Sequence, residues 1–412
     1  MPTPLPPGVL KALAKVCGDV RPGEPEEGVL GVVPGAVAAP SSVAEAAEVM
    51  RVAAERELAV VPRGGETRLD WGAPPALCDL LVDTHRLDRV VEHAAGDLVV
   101  KAEAGLTMER LADVLAERRQ RLALDTPLAG STVGGTVATG AAGPLRLLYG
   151  APRDLVIGLT VVRADGKVAR SGGKVVKNVA GYDLGRLFCG SAGTLGLIAE
   201  VTFRLHPVPP ARAYVTSGPL GPDQAHDAVQ AVLHSPIAPS AVEVLALAPP
   251  GCTVCVLLEG VPDGVAARSA TARELLGSEA RISEEPPEGW GAYPDGTTLL
   301  DVAAPPAALS RLLTELASGG RASPSASWSA AGRGYVGLPA ETTPEAAAAM
   351  LASLRDVLAR HRGTAVVCYA PEGVREAVDL WGPVPAAGLM RRVKDQFDPG
   401  HRLSPGRFVG GI

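Results

Sequence analysis

Three glycine-rich segments carry the residue types that could hold a ligand. In the first, Val61 and Pro62 lead into Arg63, Gly64, Gly65, Glu66, Thr67 and Arg68, directly after a short apolar run. A glycine pair lets the backbone turn and come close to a ligand, its amides pointing inward as an anion nest. The Thr67 hydroxyl and the flanking arginines add donors, so the loop suits a diphosphate. Alone, glycines after a strand usually mark a turn. The second segment, Pro127 to Gly143, holds small residues at nearly every position. So long a run of Gly, Ala, Ser and Thr predicts a flat aromatic ligand lying against the backbone. The third interleaves Lys174, Lys177, Asn178, Tyr182 and Asp183 with glycines and continues into Gly190, Gly193 and Gly196. Two hairpin turns would account for its glycines but not for its polar residues.

The elements that must position these loops follow from periodicity. Val9 to Val16 offers one short helix. Ser42 as N-cap with Glu45 three residues on forms a capping box opening a helix to about Glu57, with Val43, Ala47, Met50 and Ala54 along one stripe. Leu58–Val61, Asp79–Asp83, Arg89–Glu92 and Leu98–Ala102 read as strands, and Thr107 to Arg118 as a helix with Met108, Leu111, Val114 and Leu115 on its apolar face. Leu155–Val162 and Lys167–Ala169 flank an Asp165-Gly166 hairpin signal. A strand over Leu195–Leu205 ends at the prolines 207, 209 and 210, the best boundary in the chain. Beyond it, strands at Ala241–Leu247 and Thr253–Leu258 alternate with helices near Val265–Leu276, Pro306–Ala317 and Pro344–His361. The expected fold class is α+β, with a smaller α+β domain in the second half.

Composition narrows the function classes. A chain of 412 residues fits two domains rather than one core. The net charge of −6 speaks for solubility and against a nucleic-acid footprint. Six cysteines are too few for a disulfide framework, and no run of four could hold an iron–sulfur cluster. Cys252 and Cys255, three apart on a strand, point to opposite faces and cannot converge on one metal. The N-terminus lacks a signal peptide's basic start and apolar core, and Gly28 to Pro40 is too short and too broken to span a bilayer. A cytoplasmic protein is expected, peripheral to a membrane only through partners.

Together the three segments resemble the FAD-binding domain of the vanillyl-alcohol oxidase/p-cresol methylhydroxylase superfamily, in its hydroxyacid branch. The wording "PRGGET", "STVGGTVATGAAG", "KNVAGYDL" and "GSAGTLGLI" carries the likeness over residues 25 to 210. The tail around Leu389–Pro399 and Leu403–Phe408 is most similar to that of glycolate oxidase FAD-binding subunits. The resemblance implies a two-subdomain FAD-binding domain plus a smaller α+β cap: an arm over 1–24, the FAD domain over 25–210, the cap over 211–385, and 386–412 returning to the FAD domain. It implies a diphosphate against Pro62, Arg63, Gly64, Gly65, Thr67 and Arg68, and Pro127, Ser131, Thr132, Gly134 and Gly135 around the diphosphate and ribityl chain. Gly193, Thr194, Gly196 and Ile198 would hold the adenosine half, and Thr139 and Gly143 would approach the isoalloxazine. Covalently flavinylated relatives carry His just after the glycine pair. Glu66 stands there instead, which implies FAD held without a covalent bond.

The reaction implied is oxidation of a small 2-hydroxyacid such as glycolate. It needs a hydride acceptor, a base for the hydroxyl proton and a cation for the carboxylate. Catalytic relatives use a histidine-rich metal motif. Here the histidines 85, 93, 206, 226, 234, 361 and 401 never fall within ligand spacing. That departure fits a FAD subunit working beside a second flavin subunit and an iron–sulfur subunit. Tyr182, Lys177 and Asn178 are the candidates near the flavin edge, and Arg333 is the candidate for the carboxylate, although an arginine in a turn has a blander reading. A structural FAD subunit and a stand-alone oxidase of another alcohol or sugar acid remain as alternatives.

Overall fold

Proline and glycine interrupt the apolar runs, so the strands are short and the core is made of Val, Leu and Ala. The computed structural model describes residues 2–173, 184–246, 251–318 and 324–412. The chain divides into two units, one of Met1–Ala141, Ala151–Val208 and Val384–Ile412, the other of Ala142–Gly150 and Pro209–Pro383.

The first unit holds two main sheets. In the four-stranded one, Ala36–Ala38 and Val60–Arg63 both run parallel to Leu80–Asp83, and Val20–Pro22 pairs antiparallel at the edge. Parallel strands need a crossover: the helix Val43–Glu55 joins Ala36–Ala38 to Val60–Arg63, and residues 64–79, which hold the first glycine pair, join Val60–Arg63 to Leu80–Asp83. Ser42 caps that helix, its Oγ accepting from the Glu45 amide at 3.2 Å. The Glu45 carboxylate does not return to Ser42. It takes the Ser41 amide at 2.5 Å and the Gly18 amide at 2.9 Å, tying the N-terminal arm to the helix. The buried stripe is also rotated from the expected one, comprising Ala46, Val49, Met50, Val52 and Ala53. Alanines at 46, 47, 53 and 54 make two faces equally apolar, and packing against Val60, Leu80 and Val82 chooses between them. Val9 and Leu13 of the arm's helix Val9–Ala14 share that core.

The five-stranded sheet is antiparallel, ordered Val90–Ala94, Val99–Glu103, Leu197–Arg204, Val156–Val162, Val168–Gly172. Gly166 turns the last hairpin at φ +77°, as the Asp-Gly pair predicts. Helix Met108–Ala116 starts at the N-cap Thr107 and buries Met108, Leu111 and Leu115.

The second unit is built on an eight-stranded antiparallel sheet: Arg281–Ser283, Ala211–Thr216, Thr253–Gly260, Ala241–Ala246, Ser325–Ser329, Arg333–Leu338, Thr298–Ala303, Thr364–Tyr369. Residues at alternate positions, including Val242, Val254, Leu300, Trp328 and Val336, join one core with the helices Pro222–Leu233, Pro262–Leu276, Leu309–Ala317 and Pro344–Ala359. Glu243, Asp301, Ser327 and Tyr335 occupy the intervening positions and face the other side. Cys252 belongs to the helix-covered core and Cys255 to the cluster on the opposite face, so the two thiols do diverge. Burial pushes the Cys252 thiol to about 11 and the Cys255 thiol to about 12. Among the described residues no helix is long and apolar enough to cross a membrane.

Candidate functional site

Strand Val60–Arg63 delivers the first glycine pair to its site. A β-carbon on Gly64 would lie 2.4 Å from Thr132 Oγ1, and one on Gly65 only 1.9 Å from the Gly130 carbonyl oxygen. Only hydrogen fits at either position: Gly64 packs against the Thr132 side chain, and Gly65 meets the second segment backbone to backbone. Thr67 Oγ1 lies 3.2 Å from Ser131 Oγ, which also accepts from Arg68 Nη1 at 3.2 Å. Glu66 takes a left-handed φ of +60°, which curls the loop. Among the described residues the amides of Gly64, Gly65, Glu66 and Thr67 donate to no protein acceptor. Four successive amides left open on a curled loop are the kind of arrangement that suits an anion.

Arg63 does not add its charge to that arrangement. Its guanidinium is buried, donating to Asp83 from Nε at 3.0 Å and from Nη2 at 2.6 Å. Its Nη1 lies 3.0 Å from Glu27 and 3.1 Å from Glu66. Burial works against this charge, and Asp83 together with Glu66 and Glu27 outweighs it, so the pKa rises. What Arg63 offers a ligand is its backbone. Arg68 is buried too, with its guanidinium 5.4 Å over the Trp71 ring.

The second segment serves packing more than its composition suggested. Ser131 leads into the helix Val133–Thr139, capped by Thr132. Gly134 donates to the Ala104 carbonyl at 2.7 Å, where a β-carbon would meet that of Ala104 at 2.7 Å. Gly135 donates to Thr132 Oγ1 at 3.2 Å, and the Thr139 hydroxyl donates back to Gly135 at 2.8 Å. Val133, Thr136 and Val137 are fully buried. Core packing thus explains much of the small-residue run. Pro127 is half-buried. Gly143 belongs to the second unit, where its carbonyl accepts from Arg146 at 3.2 Å.

The third segment closes on the first two. Gly190 donates to Val137 at 3.0 Å and Ala192 to Ala138 at 2.8 Å. Gly193, at φ +74°, would bring a β-carbon to 3.2 Å from Pro62 and 3.4 Å from Ser404. Thr194 is buried, its amide and hydroxyl both donating to Ser191. Gly196 backs onto the Phe188 ring, and Ile198 is buried within the strand Leu197–Arg204. Lys177, Asn178 and Tyr182 lie outside the described residues.

The C-terminal tail completes the arrangement, and sequence reasoning missed the residues that do this. Val60 donates to Arg402 at 2.7 Å and Ser404 donates to Val60 at 2.8 Å, laying the tail beside the strand that leads into Gly64. Lys394 and Asp398 form an ion pair at 2.7 Å, with 1% and 0% side-chain exposure. A lysine on the same helix face as Met390, Val393 and Phe397 was the available signal.

In the second unit, Arg333 stands on a strand rather than in a turn, and it is ion-paired with Asp301 through Nε at 2.7 Å and through Nη2. Partial desolvation opposes its charge and the paired Asp301 outweighs it, so its pKa is raised although the side chain is part-exposed. Burial first, then Asp301, pushes the Tyr335 hydroxyl well above 10.0. Tyr293 meets the Tyr335 ring edge-on at 4.6 Å. Among the described residues no group of three His, Cys, Asp or Glu is placed to hold a metal ion.

The family described as an FAD binding domain matches residues 34–172. Glycolate oxidase subunit GlcD of Bacillus subtilis is 33% identical over 214 residues, 52% of this chain and 46% of that one. D-2-hydroxyglutarate dehydrogenase of Xanthomonas citri is 38% identical over 178 residues, 43% of this chain and 38% of that one. The matched stretches thus span less than half the length of those two curated relatives. An uncharacterized FAD-linked oxidoreductase of Mycobacterium tuberculosis is 27% identical across 92% of this chain and 91% of its own. Among solved structures, substrate-bound p-cresol methylhydroxylase superposes with a TM-score of 0.75 at 17% identity, covering 99% of this chain and 98% of that one. Alkyldihydroxyacetonephosphate synthase gives 0.74 at 16% identity, covering 98% and 85%. These likenesses establish the fold.

Proposed function

Residues 34–172 carry an FAD-binding domain within a chain of the p-cresol methylhydroxylase-type fold, and on that premise we propose an FAD-dependent oxidoreductase of small 2-hydroxyacids. The observation that carries the reading is the convergence of three small-residue segments and the tail around four open amides, Gly64 to Thr67. Those amides would hold the diphosphate, and the Thr67 and Ser131 hydroxyls would add donors beside them. The turn at Gly193 and Thr194, with Gly196 and Ile198 beyond it, would take the adenosine half. When bound, FAD supplies a two-electron acceptor. Glu66 offers no imidazole at the position where covalent relatives carry His, so the cofactor would be held without a covalent bond.

Likeness to a glycolate oxidase subunit and to D-2-hydroxyglutarate dehydrogenase supports the hydroxyacid class. Within it we place this chain as the FAD-binding subunit of a cytoplasmic complex with a second flavin subunit and an iron–sulfur subunit. Tyr182 and Lys177 are the proposed groups for moving the hydroxyl proton, with Asn178 proposed as a hydrogen-bonding group. A second reading, a structural FAD subunit with the chemistry on a partner, is favoured by the Arg333–Asp301 pair. The arginine offered for a substrate carboxylate is already neutralised.

The test begins with the visible spectrum of the purified chain before and after acid precipitation. A flavin band released into the supernatant is expected, and colour retained in the pellet would contradict the inference from Glu66. Anaerobic mixing with glycolate, D-lactate or D-2-hydroxyglutarate should then bleach the band. A flavin that no hydroxyacid reduces, and that reoxidises only slowly after photoreduction, would leave the structural reading in its place.

A further inference from the structure

Lys394 is the least expected group in the first unit. An ammonium this deeply buried is costly unless every hydrogen finds an acceptor. Its three hydrogens find three: the Thr194 carbonyl at 2.8 Å, Asp398 Oδ2 at 2.7 Å and the Leu403 carbonyl at 2.8 Å. Asp398 Oδ2 also accepts from the Leu403 amide at 2.7 Å. Each acceptor belongs to a different piece of structure. Thr194 lies in the turn following Gly193. Asp398 follows the helix Ala387–Phe397, whose Phe397 ring meets Phe188 edge-on at 5.6 Å. Leu403 sits in the tail that pairs with Val60, just before the Gly64–Thr67 amides.

One buried charge therefore fixes the Gly193–Gly196 turn relative to the strand that ends in the four open amides. No apolar side chain could satisfy two carbonyls and a carboxylate at once, and methionine at this place would leave all three without the ammonium.

We propose that Lys394 is a positioning residue that sets the spacing between the diphosphate loop and the Gly193–Gly196 turn, and so makes the site select the dinucleotide FAD over the mononucleotide FMN. This rests on the reading above that the turn takes the adenosine half. FMN has no such half and engages only the other part of the site, so loss of the spacing falls on FAD alone.

The experiment compares the full-length wild type with the double variant Lys394→Met/Asp398→Asn. The double variant removes the donor without leaving a buried carboxylate, and the side-chain amide oxygen introduced at position 398 can still accept from the Leu403 amide. Apo-proteins are titrated with FAD and with FMN by flavin fluorescence, and their melting is followed by circular dichroism. The expected result is a Kd for FAD raised about tenfold or more, with the Kd for FMN changed less than about twofold. Equal weakening of both flavins, or no weakening of either, overturns the proposal. Should the double variant melt far below wild type, Lys394→Arg reads the same ratio, because its bulkier fork keeps the charge without the three-way geometry. A wild type that binds FMN as tightly as FAD refutes the selectivity but leaves the flavin site standing. A wild type that binds neither refutes the FAD reading itself.

Discussion

The carbonyl oxygen of Gly130 lies 1.9 Å from where a β-carbon on Gly65 would be. Two loops some distance apart in sequence meet there with no side chain between them. Gly65→Ala must push one backbone away from the other, which spreads the open amides. Flavin retained through purification should fall at least about tenfold. Gly96→Ala is the matched control, because nothing stands within 4 Å of its added carbon. Equal flavin content in the two variants would refute the close approach.

Arg63 belongs to the protein's own charge network rather than to the ligand. Arg63→Met leaves Asp83 and Glu27 facing each other without their shared cation. A loss of roughly 3–5 kcal/mol in urea unfolding is expected, as for breaking one side of a buried pair. The folded variant should bind FAD within about threefold of wild type. A large loss of affinity with unchanged stability would return the guanidinium to the diphosphate.

Glu27 gives the network a pH signature. Its hydrogen bonds to Arg21 hold the carboxyl down, from 4.5 to about 2. A depressed carboxylate stabilises the fold above its unfolded pKa and loses that contribution as pH falls through the folded one. Between pH 4.5 and about 2 the wild type should lose up to about 3 kcal/mol from this group. Glu27→Gln should start less stable at pH 7 and lose less over that window, read by denaturant titrations at stepped pH. Parallel curves for the two proteins would contradict it.

Burial pushes the thiols of Cys78 and Cys255 to about 12 and that of Cys252 to about 11. At pH 8 they carry almost no thiolate, the form that reacts. Mapping the sites modified by a disulfide reagent should find all three unlabelled in the native protein and labelled in urea. Rapid native labelling of Cys252 or Cys255 would mean that the second unit's sheet opens there.

Sequence legibility followed the range of the interactions. The Gly64–Gly65 pair and the Asp165-Gly166 hairpin were readable because each is determined by its immediate neighbours. The stripe on Val43–Glu55 was misplaced because alanines on two faces leave the choice to the sheet beneath. Arg333 read as an arginine in a turn, with a glycine on either side, whereas it opens the strand Arg333–Leu338. Yet Gly334 and Gly337 are where a β-carbon would strike Trp328 and Asp295, so they permit close strand packing rather than a bend. Lys394 offered only a lysine on an apolar helix face, and its role was not legible, since its partner Thr194 lies 200 residues away.

The return of residues 384–412 to the first unit imposes an order of events during synthesis. The second unit emerges from the ribosome ahead of the segment that pairs with Val60. Domains form as their chains emerge, so the second unit can fold while the first still lacks its closing segment and its buried lysine. Cofactor capture then waits until residues 384–412 have emerged, and a released chain lacking them would carry a finished second unit and no flavin.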